Sequence, residues 1–408
     1  MQNTREFDLI VWGASGFTGR LVAEYLYQKY GVGKDLSWAM AGRNQSKLER
    51  IRSEVADASV PILLGDSLDQ SSLEAMAKRT KVICTTVGPY GKYGSKLVAA
   101  CVAQQTHYCD LAGEVTWMRD MIDQHHAAAQ ANGTKIVHTC GFDSIPSDMG
   151  VYFMQKQARE KTGEPATQIK MRVRGAKGGL SGGTYASLGN EIVKAEKDKS
   201  LYGVLIKPYS LNPKGEQEGP DKRDLQKVVY DETSQNWIFP FIMATINTKV
   251  VRRSNALAGY PYGKDFQYEE ATMAGDGWQG KLKAYAAALP MGLISMAKPG
   301  SLLKKVVDRI MPDPGEGPSK AKREAGYFNL RFYNILSDGS LVVGKVTGDR
   351  DPGYGSTCKM LAESAICLAR DNTPDIAGVL TPSVAMGDAL LERLQANAGL
   401  TFSFGKDG

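Results

Sequence analysis

No two cysteines in this 408-residue chain have C-x-x-C spacing, and its four histidines are not spaced with its six cysteines as zinc ligands would be. A structural zinc site is therefore excluded as the organising feature. Cys84, Cys101, Cys109, Cys140, Cys358 and Cys367 are scattered, and Cys84 and Cys140 fall inside apolar, strand-like runs. They read as buried free thiols, which fits a reducing compartment. No apolar run is long enough to cross a bilayer; the uncharged run 284–297 has 14 residues and is interrupted by Pro290. The first residues lack a signal-peptide layout, so the expected location is the cytoplasm. There is no internal repeat and no low-complexity tract. A net charge of +6 is slight for this length. It does not argue for nucleic acid, although it suits a cofactor or substrate carrying phosphates. Hydrophobic content of 42% and charged content of 23% are those of an ordinary globular chain, long enough for two or three domains.

What is present begins at Phe7. Phe7–Trp12 is an apolar run of strand length, followed by Gly13-Ala14-Ser15-Gly16-Phe17-Thr18-Gly19 and a helical pattern from Arg20 to Lys29. In that pattern Leu21/Tyr25 and Val22/Leu26 share one face. A strand, a glycine-rich turn and a helix are the context that a dinucleotide fingerprint requires. Gly13 permits the tight turn. Gly16 leaves room for a pyrophosphate at the helix N-terminus, where free amides and the helix dipole favour an anion. Gly19 lets the helix lie close to the sheet. Ser15 and Thr18 add hydroxyl donors, and Phe17 lies within the turn.

A second strand, Leu36–Ala41, leads into Gly42-Arg43-Asn44-Gln45-Ser46-Lys47. An NAD site places a carboxylate here for the ribose 2′-hydroxyl. This chain has Arg43, with Ser46 and Lys47 close behind, which suits a 2′-phosphate and so NADP(H). After a third strand, Ser59–Leu64, Asp66 either meets the adenine amino group or caps the next turn. A fourth strand, Lys81–Val87, runs into Gly88-Pro89-Tyr90-Gly91-Lys92-Tyr93-Gly94. Thr86, Val87, Gly88, Pro89 and Tyr90 are expected to border the cofactor at the C-terminal sheet edge. Fifth and sixth strands, His107–Leu111 and Lys135–Cys140, end in loops carrying Asp110 and Asp143. Six strands alternating with helices predict an α/β fold, a Rossmann-type doubly wound parallel sheet over residues 1–150. His125 and His126 read as surface residues.

Beyond Val151 the pattern changes to a second α+β domain with a mixed sheet, 151–352, for substrate binding or dimerisation. Gln168–Arg174 is strand-like, Tyr185–Lys194 helical, and Leu201–Asp231 reads as loops. Tyr327–Leu336 and Leu341–Thr347 form a hairpin through Asp338-Gly339. Ser356–Ala369 and Pro382–Ala396 are helical, and Leu400–Phe404 is a last strand. The apolar stretch 284–307 supports two readings side by side. One is a helix pair covering the second domain; the other is a greasy flap that touches a membrane or admits an acyl chain.

Gly13–Gly19, Ala41-Gly42-Arg43, Val87-Gly88-Pro89-Tyr90, Tyr108–Glu114 and Cys140–Asp148 together resemble the saccharopine dehydrogenase-like oxidoreductases. More narrowly they resemble the branch containing the trans-acting enoyl reductases of mycobacterial lipid synthesis. Gly178–Thr184 and Gly348–Gly355 agree. The resemblance implies a Rossmann domain rejoined by a C-terminal segment, about 353–396, a mixed second domain and NADPH-dependent reduction. The expected substrate is a hydrophobic acyl molecule, carrier-bound or free, with its double bond reduced by hydride transfer. A saccharopine-type imine reductase is the alternative; its dicarboxylate substrate would need cations such as Arg172, Arg174 and Lys177. A further alternative is a non-catalytic, NADP-holding scaffold. The candidate catalytic residues are Tyr90, Tyr93, Asp110 and Asp143, for each of which a structural loop hydrogen bond stands beside catalysis. No metal is expected, and a homodimer fits the second domain.

Overall fold

The structure, a computed structural model, describes residues 5–33, 35–178, 182–296 and 317–405. Two seven-stranded sheets organise it. The first contains β1 (Phe7–Trp12), β2 (Trp38–Gly42), β3 (Ile62–Leu64), β4 (Thr80–Thr85), β5 (His107–Cys109), β6 (Lys135–Val137) and β13 (Gly378–Leu380). The second contains β7 (Gln168–Lys177), β8 (Val229–Asp231), β9 (Asn236–Pro240), β10 (Gln267–Gly275), β11 (Tyr327–Ile335), β12 (Leu341–Gly348) and β14 (Leu400–Phe404).

The first sheet is wholly parallel, in the order β13-β6-β5-β4-β1-β2-β3. Both of its faces are covered, so its strands read as continuous apolar runs. All six residues of β1 are buried. Leu9 and Val11 join one core cluster and Ile10 and Trp12 the other, as alternation across a strand requires. Strand order reverses between β1 and β4, the switch point where open α/β sheets bind ligands. A late helix, Thr357–Arg370, packs beside the first helix, Phe17–Tyr30, at this point. The Tyr25 and Tyr30 hydroxyls each donate to buried Glu363 Oε1 at 2.6 Å.

The second sheet is mixed, in the order β14-β12-β11-β7-β10-β9-β8, with only β7 and β10 parallel. Helices Ile145–Thr162 and Ala244–Leu257 border one face. Phe328, Leu330 and Phe332 of β11 point into that layer, while Asn329, Arg331 and Tyr333 alternate with them onto the other face.

Several expectations need correction. The first sheet has a seventh strand, β13, too short for periodicity to reveal. Residues 201–231 are not all loop, because they contain a helix, Leu201–Ile206, and β8. β10 has no periodic signature, because Glu269 and Glu270 interrupt any apolar pattern. Their charges are accommodated: Glu269 pairs with Arg172, and Glu270 accepts from Tyr268 and Asn247. His126 is not a free surface residue, since its half-buried ring accepts from the Val379 amide at 3.1 Å. The helix Gly277–Met296 runs through Pro290 rather than stopping there. The rest of the 284–307 stretch lies outside the described residues. Among the described residues, no helix is long and apolar enough to cross a membrane. All six cysteines are buried and free, as expected.

Candidate active site

The turn after β1 has the geometry that its glycines demand. Gly13 adopts φ +88°, and a Cβ there would lie 2.6 Å from Val87 Cγ2. A Cβ on Gly19 would lie 2.8 Å from both the Gly13 carbonyl carbon and Thr86 Oγ1. These two glycines bring the helix, the turn and the end of β4 into contact. Gly16 differs. It is exposed, and a Cβ would meet only the Gly13 carbonyl oxygen, at 3.3 Å. Its missing side chain leaves space outside the protein. No side chain caps the helix at Gly16. The amides of Phe17, Thr18 and Gly19 have no partner among the described residues, so they present the partial positive charge of a 14-residue helix to solvent. The Phe17 ring is turned away, against Tyr354 at 4.9 Å between centroids and the Arg323 guanidinium at 5.6 Å. Ser15 and Thr18 are half-buried beside it. Free amides at a helix N-terminus with open space before them are the kind of environment that suits an anion.

Arg43 begins the loop after β2, next to the turn, because the Gly13 and Ala14 amides donate to Ala41 O. Arg43, Ser46 and Lys47 are all exposed. Neither cation has a carboxylate partner among the described residues. Asn44 between them caps the following helix, accepting from the Lys47 amide at 2.8 Å. Asp66 is exposed and accepts from the Leu68 amide at 2.9 Å, which closes its own turn.

Three loops converge beyond the ends of β4, β5 and β6. Asp110 is fully buried at their centre. Its Oδ2 accepts from the Tyr108 hydroxyl at 2.8 Å and lies 2.7 Å from His138 Nδ1; its Oδ1 accepts from the amides of Ala112 and Thr139. Thr139 is held at φ +63°, a strained conformation for a β-branched residue. Asp110 thus ties two strand ends together, and its oxygens are engaged. Tyr90 is also buried. It stacks on Trp117, donates to Thr85 O and accepts from the Leu111 amide at 3.2 Å. Burial first, then the Asp110 charge, pushes its pKa well above the ordinary value. Tyr90→Phe leaves the Leu111 amide unpaired and is expected to cost about 1–2 kcal/mol of stability, read by thermal or urea denaturation. Glu114 caps the short helix Tyr90–Tyr93, accepting from the Tyr90 and Gly91 amides at 2.7 and 2.9 Å.

Asp143 and Tyr93 are placed differently. Both are only half-buried, and the Tyr93 hydroxyl has no partner among the described residues. Asp143 sits beside Gly113 and Gly141; a Cβ on Gly141 would lie 3.1 Å from its Oδ2. Among the described residues its carboxyl hydrogen-bonds only its own amide. Burial, with the Asp110 charge behind it, pushes its pKa up to about 7. A carboxylic acid that keeps its proton near neutrality at a strand C-terminal edge is equipped for acid–base chemistry.

Sequence reasoning missed His138 and Tyr354. His138 lies inside a strand-like run, and only its distance from Asp110 reveals it. Tyr354 belongs to Asp351-Pro352-Gly353-Tyr354-Gly355, a π-type turn whose Asp351 accepts from the Tyr354 and Gly355 amides at 3.0 and 2.8 Å. That glycine-rich composition was the available signal. The turn leads directly to Thr357, whose hydroxyl accepts from the Phe142 amide at 3.0 Å and so holds the loop of Asp143.

Residues 9–137 match the family model of the saccharopine dehydrogenase NADP-binding domain. A Mycobacterium tuberculosis (strain H37Rv) relative, provisionally named a trans-acting enoyl reductase, is 40% identical over 418 residues, covering 96% of each chain. Trans-acting enoyl reductases of Mycobacterium leprae and Mycobacterium ulcerans are 35% and 36% identical, again over 96% of each chain. Among solved structures, apo saccharopine dehydrogenase (L-Glu forming) from Saccharomyces cerevisiae aligns over 98% of this chain and 99% of its own, with 12% identity and a TM-score of 0.53. It shares the fold.

Proposed function

The chain belongs to the saccharopine dehydrogenase-like, NADP-binding oxidoreductases, in the branch of the trans-acting enoyl reductases, and from that premise we propose that it reduces a carbon–carbon double bond of an acyl, lipid-type substrate. The observation that carries the reading is the half-buried Asp143 carboxyl on the loop after β6, at the C-terminal edge of the first sheet, where burial raises its pKa to about 7. Bound NADPH supplies the hydride. The amides of Phe17, Thr18 and Gly19 hold the pyrophosphate, and Arg43 with Lys47 holds the 2′-phosphate. Thr86, Val87, Gly88 and Pro89 line the cofactor. Addition of hydride at the β-carbon leaves an enolate, whose α-carbon takes the Asp143 proton. Tyr93 donates a hydrogen bond to the oxyanion. Asp110 and Tyr90 are positioning residues in this reading, because they fix the loops on which Asp143 and Tyr93 stand.

A saccharopine-type substrate would need cations free for its carboxylates. Of the cations named for it, Arg172 is buried and paired with Asp231 at 2.9 Å and with Glu269, and Arg174, although unmatched among the described residues, lines a groove that contains none of the residues assigned to the cofactor or to proton transfer. The exposed stripe Trp278, Leu282, Tyr285 and Leu289 further supports an apolar substrate or lipid surface.

Two measurements test this reading. NADPH consumption is expected with α,β-unsaturated acyl thioesters, rising with chain length, and not with lysine plus a keto acid. The reverse pattern supports imine reduction, and no consumption with any acceptor supports the scaffold. In fluorescence titrations the wild type is expected to prefer NADPH to NADH. Arg43→Ala is expected to lower that preference by roughly ten- to a hundredfold, the worth of one or two charge-assisted contacts. An unchanged preference removes Arg43 from the cofactor site.

A further inference from the structure

Among the described residues, a groove of about 1040 Å³ runs along one face of the second sheet. Arg174 of β7 and Arg331 of β11 line it together with Tyr333, Met273, Leu341 and Val343. Arg172, their neighbour, is matched by Asp231 and Glu269. Arg174 and Arg331 are not matched: neither has a hydrogen bond or ion pair with another described residue. Burial and the nearby Arg174 charge both press on the Arg331 guanidinium and lower its pKa, so two like charges are held together without a counter-charge. Such an arrangement is unfavourable by itself and is relieved by an anion. Met273, Leu341, Val342 and Val343 give the groove an apolar stretch, with Asn236 and Tyr333 also in its lining, and Leu341 is 45% exposed at one end of β12. The groove is on the face away from helices Ile145–Thr162 and Ala244–Leu257, and none of the residues assigned to the cofactor or to proton transfer lines it.

We propose that this groove is a second ligand site, for an amphiphile whose anionic head sits between Arg174 and Arg331 while its hydrocarbon body lies along Met273, Leu341 and Val343. A carboxylate and a phosphate monoester share the head chemistry, since either accepts from two guanidinium forks. The proposal does not depend on the reaction assigned to Asp143.

The full-length protein, saturated with NADPH, is titrated by calorimetry with decanoate, decyl phosphate and inorganic phosphate. Decanoate or decyl phosphate is expected to bind, with inorganic phosphate weaker by at least about tenfold for want of the apolar body. Arg174→Gln with Arg331→Gln is expected to weaken binding by about tenfold or more, without altering the NADPH titration. Arg174→Glu, at the exposed position, supplies an internal counter-charge for Arg331 and is expected to do the same in a chain whose fold is not in question. Whichever amphiphile binds more tightly identifies the head. Undiminished binding in Arg174→Glu overturns the proposal, as does the absence of binding to the wild type. Sedimentation covers the remaining occupant: a wild-type dimer that Arg174→Glu dissociates, with no amphiphile bound, assigns the face to a second copy and also overturns it.

Discussion

Gly19→Ala is expected to abolish NADPH binding, weakening it by about a hundredfold or more while lowering the melting temperature. The added methyl would lie 2.8 Å from the Gly13 carbonyl carbon and from Thr86 Oγ1, and closer still to the Gly13 carbonyl oxygen. Two of these atoms are backbone, so no rotamer change relieves the overlap. The helix must withdraw from the sheet, and its amides move away from the pyrophosphate. Gly16→Ala supplies the contrast. There the methyl meets protein only at 3.3 Å, and the rest of its surroundings are open. The melting temperature is expected to change little, yet NADPH binding still falls, because the space is needed by the ligand rather than by the fold. Fluorescence titration and thermal denaturation of the two variants check both halves. Equal NADPH affinity in Gly16→Ala and wild type would show that nothing approaches that backbone.

The second large effect is expected at Asp143. Asp143→Asn removes the transferable proton and keeps the shape, so turnover is expected to fall by about a hundredfold or more. The wild type should lose activity as pH rises through about 7, where the carboxyl gives up its proton. The residual rate of the variant should not follow that limb. Stability supplies an independent readout. The unfolded carboxyl titrates near 3.8 and the folded one near 7, so between these values the folded chain holds a proton that the unfolded chain has lost. The group favours the folded state fully below the lower value, and that advantage is lost as pH rises through the upper one. Melting temperatures across this window should therefore decline more in the wild type than in Asp143→Asn. A variant with wild-type turnover would make Asp143 a loop residue only.

Local features were legible in the sequence, and long-range ones were not. The turn from Gly13 to Gly19 was readable because its strand, glycines and helix are contiguous, and backbone approach dictates each spacing. The position of Arg43 was readable because the loop after β2 follows directly from a recognisable strand, and the structure places Arg43 exposed at its start. The hairpin of β11 and β12 announced itself through Asp338-Gly339. By contrast, Asp110, His138 and Thr139 form one network from two strands, and no spacing along the chain links them. For Tyr90, on a glycine-rich loop, the sequence left a proton-donor role and a structural hydrogen bond side by side; its hydroxyl turns inward, donating to Thr85 O, with its ring stacked on Trp117, contacts that no spacing along the chain discloses. β10 was hidden because the partners of its two glutamates come from β7, β10 itself and the helix Ala244–Leu257. Composition reports burial well only where polar groups do not bring their own partners.

The most direct test of the account is hydride transfer itself. NADPH carrying deuterium at its transferable position is incubated with a long-chain α,β-unsaturated acyl thioester and the full-length protein, and the acyl product is analysed by mass spectrometry. A saturated acyl chain with one deuterium at the β-carbon is expected, formed by the wild type and much more slowly by Asp143→Asn. Unlabelled acceptor recovered intact, with deuterium appearing instead in an amine formed from lysine and a keto acid, would contradict this expectation.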